Sequence, residues 1–108
     1  MMATRSGFVT ALRAGDLVPG TVRVVEVDGR SLCVGLTLDG ELGAIDNICT
    51  HDGGELGEGE LDGRDVECPR HGARYDLLTG QVLQLPAVRS VRGYPARIED
   101  DRVVVELS

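Results

Sequence analysis

Cys49-Thr50-His51 and Cys68-Pro69-Arg70-His71 are the two stretches from which the rest of this 108-residue chain is read. Sixteen residues separate them, and they hold both histidines and two of the three cysteines. Each supplies one thiolate and one imidazole, so the scarce ligand types of the chain converge on what reads as one metal site. Zinc takes Cys₂His₂ sets, but zinc fingers pair like with like, as C-x₂₋₄-C and H-x₃₋₅-H. Here each clip is mixed, and the first spacer is one residue. Zinc stays the alternative, and it would make the chain a structural module. Colour separates the two, because Zn²⁺ is d¹⁰ and redox-silent.

With both thiolates on one iron and both imidazoles on the other, the site is a [2Fe–2S] centre in which His replaces Cys on one iron. Two ferric ions, two sulfides and two thiolates sum to zero charge, so reduction takes a neutral centre to −1, where an all-Cys centre goes from −2 to −3; the electron enters more easily. C-x-H followed by C-x-x-H resembles the Rieske motif. Tyr75-Asp76-Leu77-Leu78-Thr79-Gly80 and Leu85-Pro86-Ala87 resemble the continuation of that family, and the likeness runs from about Gly7 to Leu107. The chain is most similar to the small soluble Rieske ferredoxins that serve bacterial oxygenases.

That resemblance implies a [2Fe–2S] cluster held by Cys49, His51, Cys68 and His71, with the histidines at the tip of the molecule. It implies an all-β fold: a basal β-sandwich or barrel with a smaller cluster-binding subdomain inserted at roughly 48–87. It implies a one-electron carrier between a flavoprotein reductase and a terminal oxygenase or similar acceptor. High-potential Rieske proteins carry an extra Cys in each loop, joined as a disulfide, and a Ser two residues after the second His. The matching positions here are Gly54, Arg70 and Ala73. Tyr75 stands where many oxygenase ferredoxins have Phe; it either donates to a cysteine sulfur or simply packs. Fewer donors disfavour the more negative reduced centre, which places the expected potential near the low end of the Rieske range, at about −150 mV.

Both histidines are used by the cluster, so neither a two-His-one-carboxylate iron site nor a Ser–His or Cys–His nucleophile can be assembled. The chain is read as an electron-transfer component with no catalytic residues of its own. A redox-sensing role, or an accessory role in iron–sulfur assembly, is the alternative use of the same cluster.

The length suits one domain, residues 1–108. No apolar run exceeds three residues, so the sequence predicts no membrane span and no signal segment, and a cytoplasmic location. Net charge is −7, which argues against a nucleic-acid partner. Between Asp52 and Glu67 lie seven acids (Asp52, Glu55, Glu58, Glu60, Asp62, Asp65, Glu67) and one base, Arg64, a local net of −6. This run is either a solvated face or a rim that steers a basic partner toward the clips.

Turn signals divide the chain into short strands. Gly7–Leu12, Thr21–Val27, Ser31–Leu38 and Glu41–Asp46 lead into the first clip, with Asp28-Gly29 and Asp39-Gly40 as hairpin turns. Val24-Val25 breaks the alternation, which predicts a bulge or two covered faces. Leu32, Val34, Leu36 and Leu38 share one face, and Cys33 points the other way as a packed thiol. The stretch 52–63 is too glycine-rich for a helix. Arg64–Glu67, Arg74–Asp76, Gln81–Leu85, Tyr94–Ile98 and Arg102–Leu107 follow as strands, the last two joined across Asp100-Asp101.

Overall fold

Eleven strands run through the residues that the computed structural model describes: 7–50, 53–69, 72–85, 87 and 89–107. Asp52, Arg70 and Pro86, which carry expectations above, and both histidines lie outside the described residues.

The strands are β1 (Phe8–Arg13), β2 (Thr21–Val27), β3 (Arg30–Leu36), β4 (Leu42–Asp46), β5 (Glu60–Asp62), β6 (Asp65–Glu67), β7 (Arg74–Asp76), β8 (Val82–Gln84), β9 (Gly93–Tyr94), β10 (Ala96–Glu99) and β11 (Arg102–Glu106). They form three antiparallel sheets in the orders β1-β11-β10, β2-β3-β4-β9 and β5-β6-β7-β8. The fold is all-β, and among the described residues no helix is long and apolar enough to cross a membrane.

β3 and β4 form a wall shared by two cores. Leu32, Val34 and Ala44 face the first core with Val25, Val27, Val103, Val105 and Leu107. Cys33 and Ile45 face the second with Leu56, Val66, Ala73, Tyr75 and Leu77. A strand covered on both faces loses the polar alternation of a half-exposed one. The same holds for β2, where Val25 and Val27 pack on the first core and Val22 on the second. The Val24-Val25 irregularity is therefore two covered faces, and β2 pairs with β3 without a break. The register shifts instead in β1, between Thr10 and Leu12, and in the β7–β8 ladder, between Arg74 and Tyr75.

The second core demands close approach. A Cβ on Gly43 would lie 2.4 Å from the Leu77 carbonyl oxygen, so β4 meets the Leu77 backbone only because residue 43 has no side chain.

The hairpin turns follow backbone chemistry. Asp28 and Gly29 both have positive φ, at 50° and 80°, and so do Asp100 and Asp101, at 50° and 65°. Both pairs fit the turn that matches the strand twist. Asp39-Gly40 is different. Only Gly40 has positive φ, and the loop is closed by Thr37, whose N–H donates to the Glu41 carbonyl and whose hydroxyl accepts from the Glu41 N–H. Consequently β3 ends at Leu36, and Leu38, expected on the apolar face, is 83% exposed at the turn.

Two further differences concern strands. Glu60–Asp62, inside the glycine-rich stretch, is β5, preceded by a single 3-10 turn at Leu56–Glu58. The expected strand Tyr94–Ile98 is divided at Pro95. β9 pairs with β4 in one sheet, and β10 pairs with β11 in another. Proline has no N–H to give to either ladder, and its carbonyl accepts from Glu106.

Candidate metal centre

The first clip leaves the end of β4, and the second joins β6 to β7. The two close in the same way. The Cys49 N–H donates to the Gly54 carbonyl at 2.8 Å, and the Gly53 N–H donates to the Cys49 carbonyl at 2.7 Å. The Cys68 N–H donates to the Ala73 carbonyl at 2.8 Å, and the Gly72 N–H donates to the Cys68 carbonyl at 3.3 Å. Gly53 and Gly72 occupy equivalent places and both have φ of +78°, a conformation that glycine adopts without steric cost. The two cysteines thus head loops with one hydrogen-bond frame.

Cys49 and Cys68 are each 1% exposed and belong to the second core. Ala73, Tyr75, Leu77, Ala87 and Val91 pack in the same core, which keeps water from the sulfurs. Of the predicted ligands, the structure brings these two cysteines into one apolar environment; His51 and His71 lie outside the described residues. Two buried thiols in matched loops fit the thiolate half of a [2Fe–2S] centre, because Fe–S clusters are held by Cys thiolates.

Tyr75 is fully buried, and its hydroxyl donates to the Cys49 sulfur at 3.6 Å. The sequence left a bond and simple packing equally open; the geometry brings the hydroxyl within bonding reach of the sulfur. Burial pushes the phenol above its ordinary pKa; the hydrogen bonds with Thr50 oppose the rise and the bond to Cys49 adds to it, and the net shift is upward, so Tyr75 keeps its proton. The same oxygen accepts from the Thr50 N–H at 2.9 Å and lies 2.9 Å from the Thr50 hydroxyl. Thr50 Oγ1 donates to the Arg89 carbonyl at 2.6 Å, joining the first clip to the loop after Ala87. Sequence reasoning did not single out Thr50. The only signal was a hydroxyl between two ligand-type residues.

Asn47 sets the entry to the first clip. It is 7% exposed; its amide donates to Ser31 Oγ at 3.0 Å and to Glu55 Oε1 at 3.1 Å, and its carbonyl accepts from the Gly57 N–H at 2.6 Å. One side chain therefore ties β3, the first clip and the glycine-rich stretch together.

The acidic run is less uniform than its composition. Arg74 reaches Asp62 at 3.1 Å, Glu67 at 3.3 Å and Asp65 at 3.4 Å. Arg64 pairs with Asp76 at 2.9 Å. Glu58 and Glu60 are exposed, and neither is held in an ion pair among the described residues. They line a groove of about 390 Å³ with Glu67, Cys68, Pro69 and Gly72, so their charge lies beside the second clip.

Residues 7–95 match the Rieske [2Fe-2S] domain. The chain belongs to the Rieske [2Fe-2S] family. Its cofactor is a [2Fe–2S] cluster, and its relatives include electron-transfer components of multicomponent oxygenase systems. The ferredoxin component of the naphthalene 1,2-dioxygenase system of Pseudomonas putida is 38% identical over 101 residues, covering 94% of this chain and 96% of that protein. Among solved structures, the ferredoxin of carbazole 1,9a-dioxygenase from Nocardioides aromaticivorans IC177 superposes with a TM-score of 0.88 at 30% identity, covering 95% of this chain and 100% of that one. A chain in the complex of reduced oxygenase and oxidized ferredoxin of carbazole 1,9a-dioxygenase superposes with a TM-score of 0.83 at 30% identity, covering 93% of each.

Proposed function

We propose that this Rieske protein is the ferredoxin of an oxygenase system, carrying one electron at a time from a flavoprotein reductase to a terminal oxygenase or similar acceptor in the cytoplasm. The observation that carries the reading is the pair of matched clips, each holding a buried cysteine. Cys49 and Cys68 hold one iron, and His51 and His71 hold the other. Residues 48–87 serve as the cluster-binding subdomain of a single domain. A bound [2Fe–2S] cluster supplies one-electron storage at a potential set by its surroundings.

The residues of the chain do the rest. The two clip frames fix the direction of the thiolates, and the second core excludes water from them. Tyr75 offers one hydrogen bond to the Cys49 sulfur, which favours the more negative reduced state. Ala73, with no hydroxyl, offers none from its side chain. The balance keeps the potential near the low end of the Rieske range, about −150 mV. Glu58 and Glu60 give the rim of the second clip a negative charge that draws a basic partner surface.

The test is anaerobic purification followed by metal and sulfide analysis. By Rieske stoichiometry about two irons and two sulfides per chain are expected, with a visible chromophore that Cys49→Ser or Cys68→Ser abolishes. Reduction by a flavoprotein reductase, and reoxidation by an oxygenase, completes the assay. Stoichiometric zinc with no visible absorption would overturn the reading, and a voltammetric midpoint above zero would overturn the low potential.

A further inference from the structure

The hydroxyl protons around Cys49 can be counted. Thr50 Oγ1 lies 2.6 Å from the Arg89 carbonyl oxygen. A carbonyl only accepts, so the single hydroxyl proton of Thr50 is committed there. The Tyr75 oxygen already accepts from the Thr50 N–H at 2.9 Å. Its own proton then has two acceptors in reach, Thr50 Oγ1 at 2.9 Å and Cys49 Sγ at 3.6 Å. The oxygen is nearer, and a neutral hydroxyl is its whole attraction.

We propose that Thr50 is a positioning residue that tunes the reduction potential by competing with the Cys49 sulfur for the Tyr75 proton. The inference rests on the reading of Cys49 as a cluster ligand. In the oxidised state the Tyr75 O–H is shared with Thr50 Oγ1. When one electron arrives from the reductase, negative charge on the Cys49 sulfur grows, and hydrogen bonds to charged acceptors are the stronger ones. The Tyr75 O–H then turns from oxygen to sulfur without leaving its own oxygen; no covalent bond is made or broken. The oxygen bond given up in that turn opposes reduction, so Thr50 holds the potential below the value that Tyr75 alone would set.

Thr50 also tethers the first clip to the Arg89 backbone, so a change in potential alone would not separate competition from loosening of the loop. A double-mutant cycle does. Midpoints are measured by protein-film voltammetry on cluster-loaded wild type, Thr50→Val, Thr50→Ser, Tyr75→Phe and Thr50→Val/Tyr75→Phe. Thr50→Val should raise the midpoint, by up to about tenfold in the reduction equilibrium constant, ~59 mV for a one-electron couple. Thr50→Ser, which keeps the hydroxyl, should match wild type, and Tyr75→Phe should lower the midpoint. In the Tyr75→Phe background, Thr50→Val should have no further effect. Thr50→Ala, with the same expectation, repeats the measurement without a γ-branch that could crowd the clip. A wild-type protein lacking the iron–sulfur chromophore removes both this inference and the function it rests on. An intact chromophore with an unchanged or lowered midpoint in both Thr50→Val and Thr50→Ala removes this inference alone, as does an equal rise in the Tyr75→Phe background.

Discussion

Leu32 and Cys33 are adjacent on β3 and both have no exposed surface, yet they belong to different cores. Leu32 packs between the sheets β1-β11-β10 and β2-β3-β4-β9, while Cys33 packs under the two clips. The third cysteine of the chain therefore lies in the same apolar environment as the two ligand-type ones without heading a clip.

Burial pushes the Cys33 thiol up to about 12 from its ordinary 9.0. The thiolate is the reactive form, so native protein at neutral pH should resist alkylation at Cys33 and react only when unfolded. The same shift has a pH signature. Below about 9 the thiol is protonated folded or unfolded, and its contribution to stability is complete. Between about 9 and about 12 the unfolded chain releases a proton that the folded chain retains, so stability falls as pH rises. Denaturant midpoints across this range should fall more gently in Cys33→Ala than in wild type; parallel curves would show that Cys33 is not protected.

Asn47 carries a second prediction. Truncation to Ala leaves the buried Gly57 N–H without its acceptor and releases Glu55. An unsatisfied buried donor costs about 1–3 kcal/mol. Asn47→Ala should lower the free energy of unfolding by that amount, read as a lower urea midpoint at unchanged slope, while Glu55→Gln, which keeps an acceptor for the Asn47 amide, should stay within about 0.5 kcal/mol of wild type. Equal losses in the two variants would count against Asn47 as the anchor.

The split within the acidic run gives a third. Among the described residues, Glu58 and Glu60 are the acids free to meet a partner beside the second clip, whereas Asp62, Asp65 and Glu67 are gathered on Arg74. Reduction by the cognate reductase, followed by stopped flow, should slow as ionic strength rises. Glu58→Arg with Glu60→Arg should slow it at low salt and flatten the dependence. Asp62→Asn should leave the salt dependence nearly intact and cost under about 1 kcal/mol of stability, as exposed ion pairs do. A wild-type rate indifferent to salt would assign these acids to solubility.

Local chemistry made much of this legible. Asp28-Gly29 and Asp100-Asp101 state their turns because Asp and Gly tolerate the positive φ that both turn positions require. Thr21–Val27 and Arg74–Asp76 begin and end at the residues that the sequence pattern marks. What escaped the sequence is non-local. Alternation does not say where a strand stops, so Leu38 continued a face on paper that the Thr37 loop ends. β5 is three residues long and exists through its pairing with β6, which glycine-rich flanks conceal. Arg74 meets its acids because β6 and β7 pair Glu67 with Arg74, a register that composition cannot reveal. At the clips, the type of residue was readable, but whether Tyr75 reached a sulfur depended on the placement of β7 beneath the first clip.

The change of sheet at Pro95 has a mechanical meaning. One continuous segment is stitched to β4 on one side of that residue and to β11 on the other. Any shear of the two layers would have to stretch this strap or break the Glu106 bond to the Pro95 carbonyl. β4 also runs directly into the first clip, so the strap anchors the support of Cys49 to the far layer of the base. A redox protein gains from such bracing: the less its frame yields when the charge of its cluster changes, the less nuclear rearrangement each electron must wait for.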